Sequence, residues 1–195
     1  MTSAADCVFV GSSAGIAVTS GTRNTAIGFA ALATENANGD NTAVGYAALN
    51  TLDANAQGNN VAIGTNAGKL MTTGINNSLL GHSAGTTLTT GVRNTLIGGF
   101  AGQRLTIGLN NTVVGYDALS TSVDGDFNTA IGYLALRDYE DGDGNGHNTA
   151  VGARSQSEAT TGQFNTSLGS LSMGVGVTTG DANVALGYKA GQALT

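Results

Sequence analysis

Asn24-Thr25-Ala26-Ile27-Gly28 decides how the chain is read, because the sequence returns to it at Asn41–Gly45, Asn94–Gly98, Asn111–Gly115, Asn128–Gly132 and Asn148–Gly152. Looser copies end at Gly64, Gly81, Gly169 and Gly187, and Cys7-Val8-Phe9-Val10-Gly11 opens the series. The closing glycines are therefore Gly11, Gly28, Gly45, Gly64, Gly81, Gly98, Gly115, Gly132, Gly152, Gly169 and Gly187. They stand 17 residues apart, with three longer gaps of 18, 19 and 20. A short period held from end to end means one small unit stacked on itself, and residues 1–195 read as a single elongated repeat domain.

Counting from each closing glycine as zero exposes the constraints. Position −1 is always aliphatic, position −4 is asparagine in every coil but the first, and position +3 is always Ala or Ser. Position −3 is mostly Thr and position −2 mostly Ala. A four-residue stretch of alternating size between Asn and Gly reads as a short strand. Strand side chains alternate faces, so −1 and −3 share one face while −2 and −4 share the other. A second short strand is expected after the glycine, as at Tyr46–Leu49, followed by a Thr-Thr-Gly turn such as 72–74 or 89–91.

The expected fold is all-β: a parallel β-roll or β-solenoid of eleven coils, each strand pairing with its copy one repeat on. At about 4.8 Å per step the rod is roughly 50 Å long. The bulkier file at −1 is expected to line the inside. The asparagines are expected to bond to one another and to turn backbones, as stacked amides do in in-register arrays. A coil of 17 residues encloses little, and the apolar residues at −2, among them Ala26, Leu79, Leu96 and Val113, then need cover from outside. Another copy of the rod in closed cyclic symmetry is the simplest cover.

Composition removes several classes. Glycine is abundant (31 residues) but proline is absent, which excludes collagen, and the regular aliphatic positions with a net charge of −6 argue against disorder. No apolar run is long enough to span a membrane. Met1 to Asp6 carries neither a basic nor an apolar region, so no secretory leader is expected. Cys7 is the single cysteine, so no internal disulfide forms. Seven Lys and Arg scattered over an acidic chain argue against nucleic acid as a partner.

The repeat resembles the head repeats of YadA-type trimeric autotransporter adhesins, which centre on a short Asn-Ser-Val-Ala-Ile-Gly-like strand. The match lies in Ala26-Ile27-Gly28, Ala62-Ile63-Gly64 and their equivalents, over nearly the whole chain. The resemblance implies a left-handed β-roll with three chains together. Family coils are shorter, near fourteen residues. The longer form, Asn-Thr-Ala-Val-Gly-Tyr-x-Ala-Leu as at 41–49, is more similar to repeats of bacteriophage tail fibres. The stalk and membrane anchor of the adhesins, and the self-cleaving chaperone of many fibres, are not found in these residues.

Candidate chemistry is sparse. The longest gap holds Asp141, Asp143 and Asn145 before Gly146, the first half of an EF-hand loop, whose alternating oxygen donors suit calcium. The second half fails, since the position due for glutamate is Gly152. Tyr46, Tyr116, Tyr133 and Tyr188 follow the glycine as an aromatic file, with Phe29 in the same place. Such a file packs over its own members or stacks on sugar rings. No catalytic residue is identified. His82 and His147 lie about four coils, roughly 19 Å, apart, and paired carboxylates occur only in the 138–143 loop. A polysaccharide-cleaving fibre and an ice-binding threonine face are outside readings. The expectation is a non-enzymatic homotrimeric rod, extracellular on a virion or bacterial surface, meeting a cell-surface glycan or protein receptor.

Overall fold

The computed structural model describes residues 5–37, 39–53, 58–140, 146–174 and 179–192. Eleven three-residue strands follow one another: β1 (Val8–Val10), β2 (Thr25–Ile27), β3 (Thr42–Val44), β4 (Val61–Ile63), β5 (Ser78–Leu80), β6 (Thr95–Ile97), β7 (Thr112–Val114), β8 (Thr129–Ile131), β9 (Thr149–Val151), β10 (Thr166–Leu168) and β11 (Val184–Leu186). They form one sheet in sequence order, each strand parallel to the next. Register follows the repeat, so that Thr25, Ala26 and Ile27 face Thr42, Ala43 and Val44. The 20-residue gap leaves it intact: Ala130 still pairs with Ala150. Extra residues therefore fall outside the strands. This is the expected all-β parallel solenoid, and each coil takes the number of its strand below.

The inside and outside of the sheet are reversed from expectation. Position −2 points inward and is closed off completely at Ala26, Ala43, Ala62, Leu96, Val113, Ala130 and Ala150. Position −1, expected to line the interior, faces out, its exposure reaching 65% at Leu186. The space inside is taken by side chains from beyond the strand. Position +4 supplies Leu32, Leu49, Leu119 and Leu136, and position +7 supplies Leu52, Met71, Leu88, Leu105 and Tyr139, all fully buried. Those residues cover the −2 face from within the same chain. Another copy is not needed there, and the premise for self-association moves to the opposite face.

The asparagine file is buried with −2, as strand parity requires. Each amide oxygen accepts the backbone N–H of the next coil's asparagine, for example Asn111 N to Asn94 Oδ1 at 3.0 Å and Asn128 N to Asn111 Oδ1 at 2.9 Å. At most coils Nδ2 reaches a turn carbonyl, as from Asn94 to Gly108 at 2.7 Å and from Asn111 to Gly125 at 2.7 Å. The ladder satisfies backbone and side-chain groups that would otherwise be buried unpaired. Cys7 takes the same place in the first coil, its Sγ accepting the N–H of Asn24 at 3.4 Å.

The expected second strand does not form. After the glycine the backbone alternates hand, with φ of +52° at Ala30 and +50° at Leu32, +53° at Ala47 and +47° at Leu49. Every second N–H then reaches a neighbouring coil, Ala30 donating to Ser12 of the coil before and Leu32 to Ala48 of the coil after, while Ala31 between them bonds back to Gly28. Coil-to-coil bonding therefore continues without strand geometry. A left-handed non-glycine residue costs about 1–2 kcal/mol. Burying a leucine contributes about 1.5–3 kcal/mol, enough to hold Leu32 there. The closing glycine has a stricter reason. At Gly132, φ is +136° and an added Cβ would lie 2.6 Å from the carbonyl carbon and oxygen of Gly152.

Candidate functional site: the outer sheet face and its corners

The outer face of the sheet carries two files. Position −3 reads Thr95, Thr112, Thr129, Thr149 and Thr166 over five consecutive strands, set side by side by the parallel register. Position −1 is an unbroken aliphatic file: Ile131 is 37% exposed, Leu80 47% and Leu168 52%, while Val44, Ile97, Val114 and Val151 are partly covered. Isolated exposed aliphatics are ordinary on protein surfaces; a continuous file is not.

Position +1 forms one corner of this face. Tyr46, Tyr116, Tyr133 and Tyr188 all stand there, each about half exposed or more. Phe29 stacks on Tyr46 with centroids 5.4 Å apart and rings 12° from parallel. Tyr116 stacks on Tyr133 at 6.1 Å and 21°. The structure brings in two rings the repeat did not single out, His82 and Phe100, which meet edge to face at 5.1 Å; Phe100 then meets Tyr116 the same way at 5.6 Å. Tyr188 lies apart with Lys189 Nζ 5.3 Å from its ring centroid. Stacked members thus have one face against a neighbour, and a flat ligand would meet the remaining face or the hydroxyl edge.

Position −5 forms the opposite corner, which sequence reasoning passed over. Phe127, His147 and Phe164 stack there, 4.7 Å and 5.1 Å apart with interplanar angles of 2° and 11°. The signal was present in the residue preceding each Asn-Thr: Phe127, His147 and Phe164. The same corner at coils 2 and 3 is polar, with Arg23 forking onto Asp40 at 2.5 and 2.8 Å. That hydrogen bonding holds the Asp40 carboxyl below the usual carboxylate range and raises the Arg23 guanidinium.

Asp141, Asp143 and Asn145 lie outside the described residues. Among the described residues no group of three or more His, Cys, Asp and Glu is placed to hold a metal. No helix among them is long and apolar enough to cross a membrane. His82 and His147 stand on different corners, at coils 5 and 9. A shallow cavity of about 280 Å³ spans coils 8 to 10, lined by Leu134, Arg137, Arg154, Ser157, Glu158, Leu171 and Gly174. Arg137 is tied there to Asp138, whose hydrogen bond raises the guanidinium further.

The interior changes character near that cavity. Ser155, Gln156, Ser157, Ser167 and Ser172 are all buried, and Gln156 Nε2 donates to Thr149 O and Ser167 Oγ. Gln156 Oε1 has no partner, nor does Asn128 Nδ2. The carbonyl equivalent to those serving the other asparagines would belong, for Asn128, to residue 145, outside the described residues. Comparison of the chain with protein-family models, with curated proteins and with solved structures finds no match.

Proposed function

We propose that this solenoid is a non-enzymatic rod of an extracellular fibre, assembled from three copies through the outer sheet face, that contacts a cell-surface glycan or protein receptor. The observation that carries the reading is the unbroken aliphatic file at position −1, turned outward along the whole sheet and exposed at seven of its eleven members. With its corners the face measures about 50 Å by roughly 20 Å, or about 1,000 Å² per copy, and two such faces give about 2,000 Å². A monomer's largest apolar patch is about 300–600 Å², whereas specific interfaces bury about 1,200–2,000 Å². The resemblance to fibre repeats supports the closed threefold arrangement, and the Gly-Tyr-x-Ala-Leu form favours a phage-type tail fibre over an adhesin head on a bacterial surface. The partners are other copies and the receptor; nucleic acid and membrane insertion have no part in it.

Three copies repeat each weak contact around one axis, and effective concentration multiplies them. The tyrosines at positions 46, 116, 133 and 188 are the glycan-contacting candidates. Calcium at Asp141, Asp143 and Asn145 remains a proposal for calorimetry, where absence of binding heat would remove it. A second reading, a plain spacer without receptor contact, is favoured by the mutual stacking of Tyr116 on Tyr133.

Light scattering behind a sizing column tests the assembly. Three times 19.2 kDa is 57.6 kDa. A sharp species at that mass supports the fibre reading, and a folded 19.2 kDa monomer overturns it. Binding to an immobilised glycan panel, compared between native chain and Tyr188→Ala with the variant's solution mass unchanged, separates receptor contact from the spacer.

A further inference from the structure

We infer that the two corners of the sheet face meet between copies, coil by coil: position −5 of one copy packs against position +1 of the same coil in the next. The inference rests on the proposed self-association and specifies its geometry. Within one chain these positions are six residues apart across a strand, about 20 Å at strand rise, so they do not touch. Copies related by an axis parallel to the rod keep their coils level. Any such rotation brings the −5 edge of one copy to the +1 edge of its neighbour, whatever the number of copies.

At most coils the residues at the two corners match in size under that arrangement. At three coils a small +1 stands level with a large −5, Gly99 with Arg93, Ala153 with His147 and Ser170 with Phe164. At three a ring at +1 stands level with a smaller −5, Tyr46 with Asp40, Tyr116 with Asn110 and Tyr188 with Ala182. Nothing within a single chain requires this reciprocity, because each corner's own file packs only along its own edge. At coil 2 the level pair is Arg23 and Phe29, a guanidinium beside an aromatic ring, which attract through the ring's quadrupole. At coil 8 both members are rings, Phe127 and Tyr133, each about half exposed, and they supply an edge-to-face or offset contact. An antiparallel pair of sheets would instead set the −5 corner against itself. The Phe127–His147–Phe164 stack would then face the polar Arg23–Asp40 end and lose every size match.

The test uses the full chain with Cys7→Ser, so that only introduced thiols react. Phe164→Cys and Ser170→Cys are combined in one chain and also made singly, then treated with a short bis-maleimide after the assembly state is read by light scattering. The expected result is covalent oligomers from the double variant on a denaturing gel, and unlinked chains from both single variants. The pair Arg93→Cys with Gly99→Cys repeats the test at coil 6 should the first double variant fail to fold. An oligomer that gives no linked species at either level overturns the corner pairing and leaves self-association standing. A 19.2 kDa monomer overturns both.

Discussion

Leu96 fills the space that Gly102 leaves empty: a Cβ on Gly102 would lie 2.9 Å from Leu96 Cδ1, although the two residues come from opposite sides of the same coil. Ala130 with Leu136, and Ala43 with Leu49, fill the same volume the other way round. Leu96 also fills the place of Gly85 one coil earlier, where its Cδ1 again lies 2.9 Å from an added Cβ. The interior thus conserves volume by exchanging size between −2 and +4, as close-packed cores require. Leu96→Ala should cost about 2–5 kcal/mol through the cavity it opens. Gly102→Leu alone should cost about 1–3 kcal/mol by overpacking. Together they should recover much of the loss, since leucine already adopts φ of +47° at the equivalent Leu119. Urea unfolding of the four chains, read as a double-mutant cycle, measures the coupling, and strict additivity would refute the exchange.

The asparagine ladder makes a second prediction. Asn94→Ala removes the acceptor of Asn111 N and the donor to Gly108 O, both buried. Each orphaned group costs about 1–3 kcal/mol, so a loss of about 2–5 kcal/mol is expected at this central coil. Asn183 sits in the last described coil and is half buried, so Asn183→Ala should cost much less. Equal losses at the two sites, compared by thermal melting, would contradict a role set by burial.

The polar interior of coils 9 and 10 is a site of recoverable stability. Gln156 occupies the +4 place that leucine fills in coils 2, 3, 7 and 8, and its Oε1 is unpaired. Its φ of +49° is already that of the buried leucines. Gln156→Leu combined with Ser167→Ala should stabilise the chain by roughly 1–2 kcal/mol, by removing the orphan and adding apolar burial. A lower unfolding midpoint would show that the serine–glutamine network is favourable as it stands.

The outer face should be separable from the fold. Leu168 is 52% exposed in the single chain, so Leu168→Asp removes contacts along the outer file alone and should change solenoid stability little. In the assembly it buries an unpaired charge, at a cost of several kcal/mol per interface. The expected outcome is a folded chain, by circular dichroism, that elutes at monomer mass. Retention of the oligomer would place the contact on another surface.

Acid should loosen one corner only slightly. Asp40 has its carboxyl lowered by hydrogen bonding from Arg23, so the ionised pair contributes at neutral pH and is lost as pH falls through that lowered value. The pair is solvent-exposed, and such ion pairs add little. Asp40→Asn should therefore leave the melting temperature at pH 7 nearly unchanged; a large drop would reveal a partner for Asp40 beyond Arg23.

The tyrosines at +1 were legible because they recur at one offset from an unmistakable glycine. The Phe127–His147–Phe164 stack was not, because its three members replace Arg, Asp and Asn found at −5 in other coils and carry no shared type. Only the pairing of consecutive coils puts residues 20 and 17 positions apart in contact.

By itself the sequence determined the period, the number of coils, the parallel register and the rule that Asn and Ala share one face of each strand. These follow from local periodicity, since a strand alternates faces whatever surrounds it. It did not determine which face is inside. That depends on the path of the residues joining one strand to the next, and the path turns on left-handed backbone at +2 and +4. Leu32 and Leu49 give no sign of that conformation in their side chains; only glycine at the same offset in Gly68, Gly85 and Gly102 hints at it. Once the chain turns that way, leucines from +4 and +7 occupy the interior and little room is left at −2, where Ala26, Ala43 and Ala130 sit beside +4 Leu, and Leu79 and Leu96 beside +4 Gly. The larger aliphatics at −1 are thereby left outside, on the face proposed for assembly.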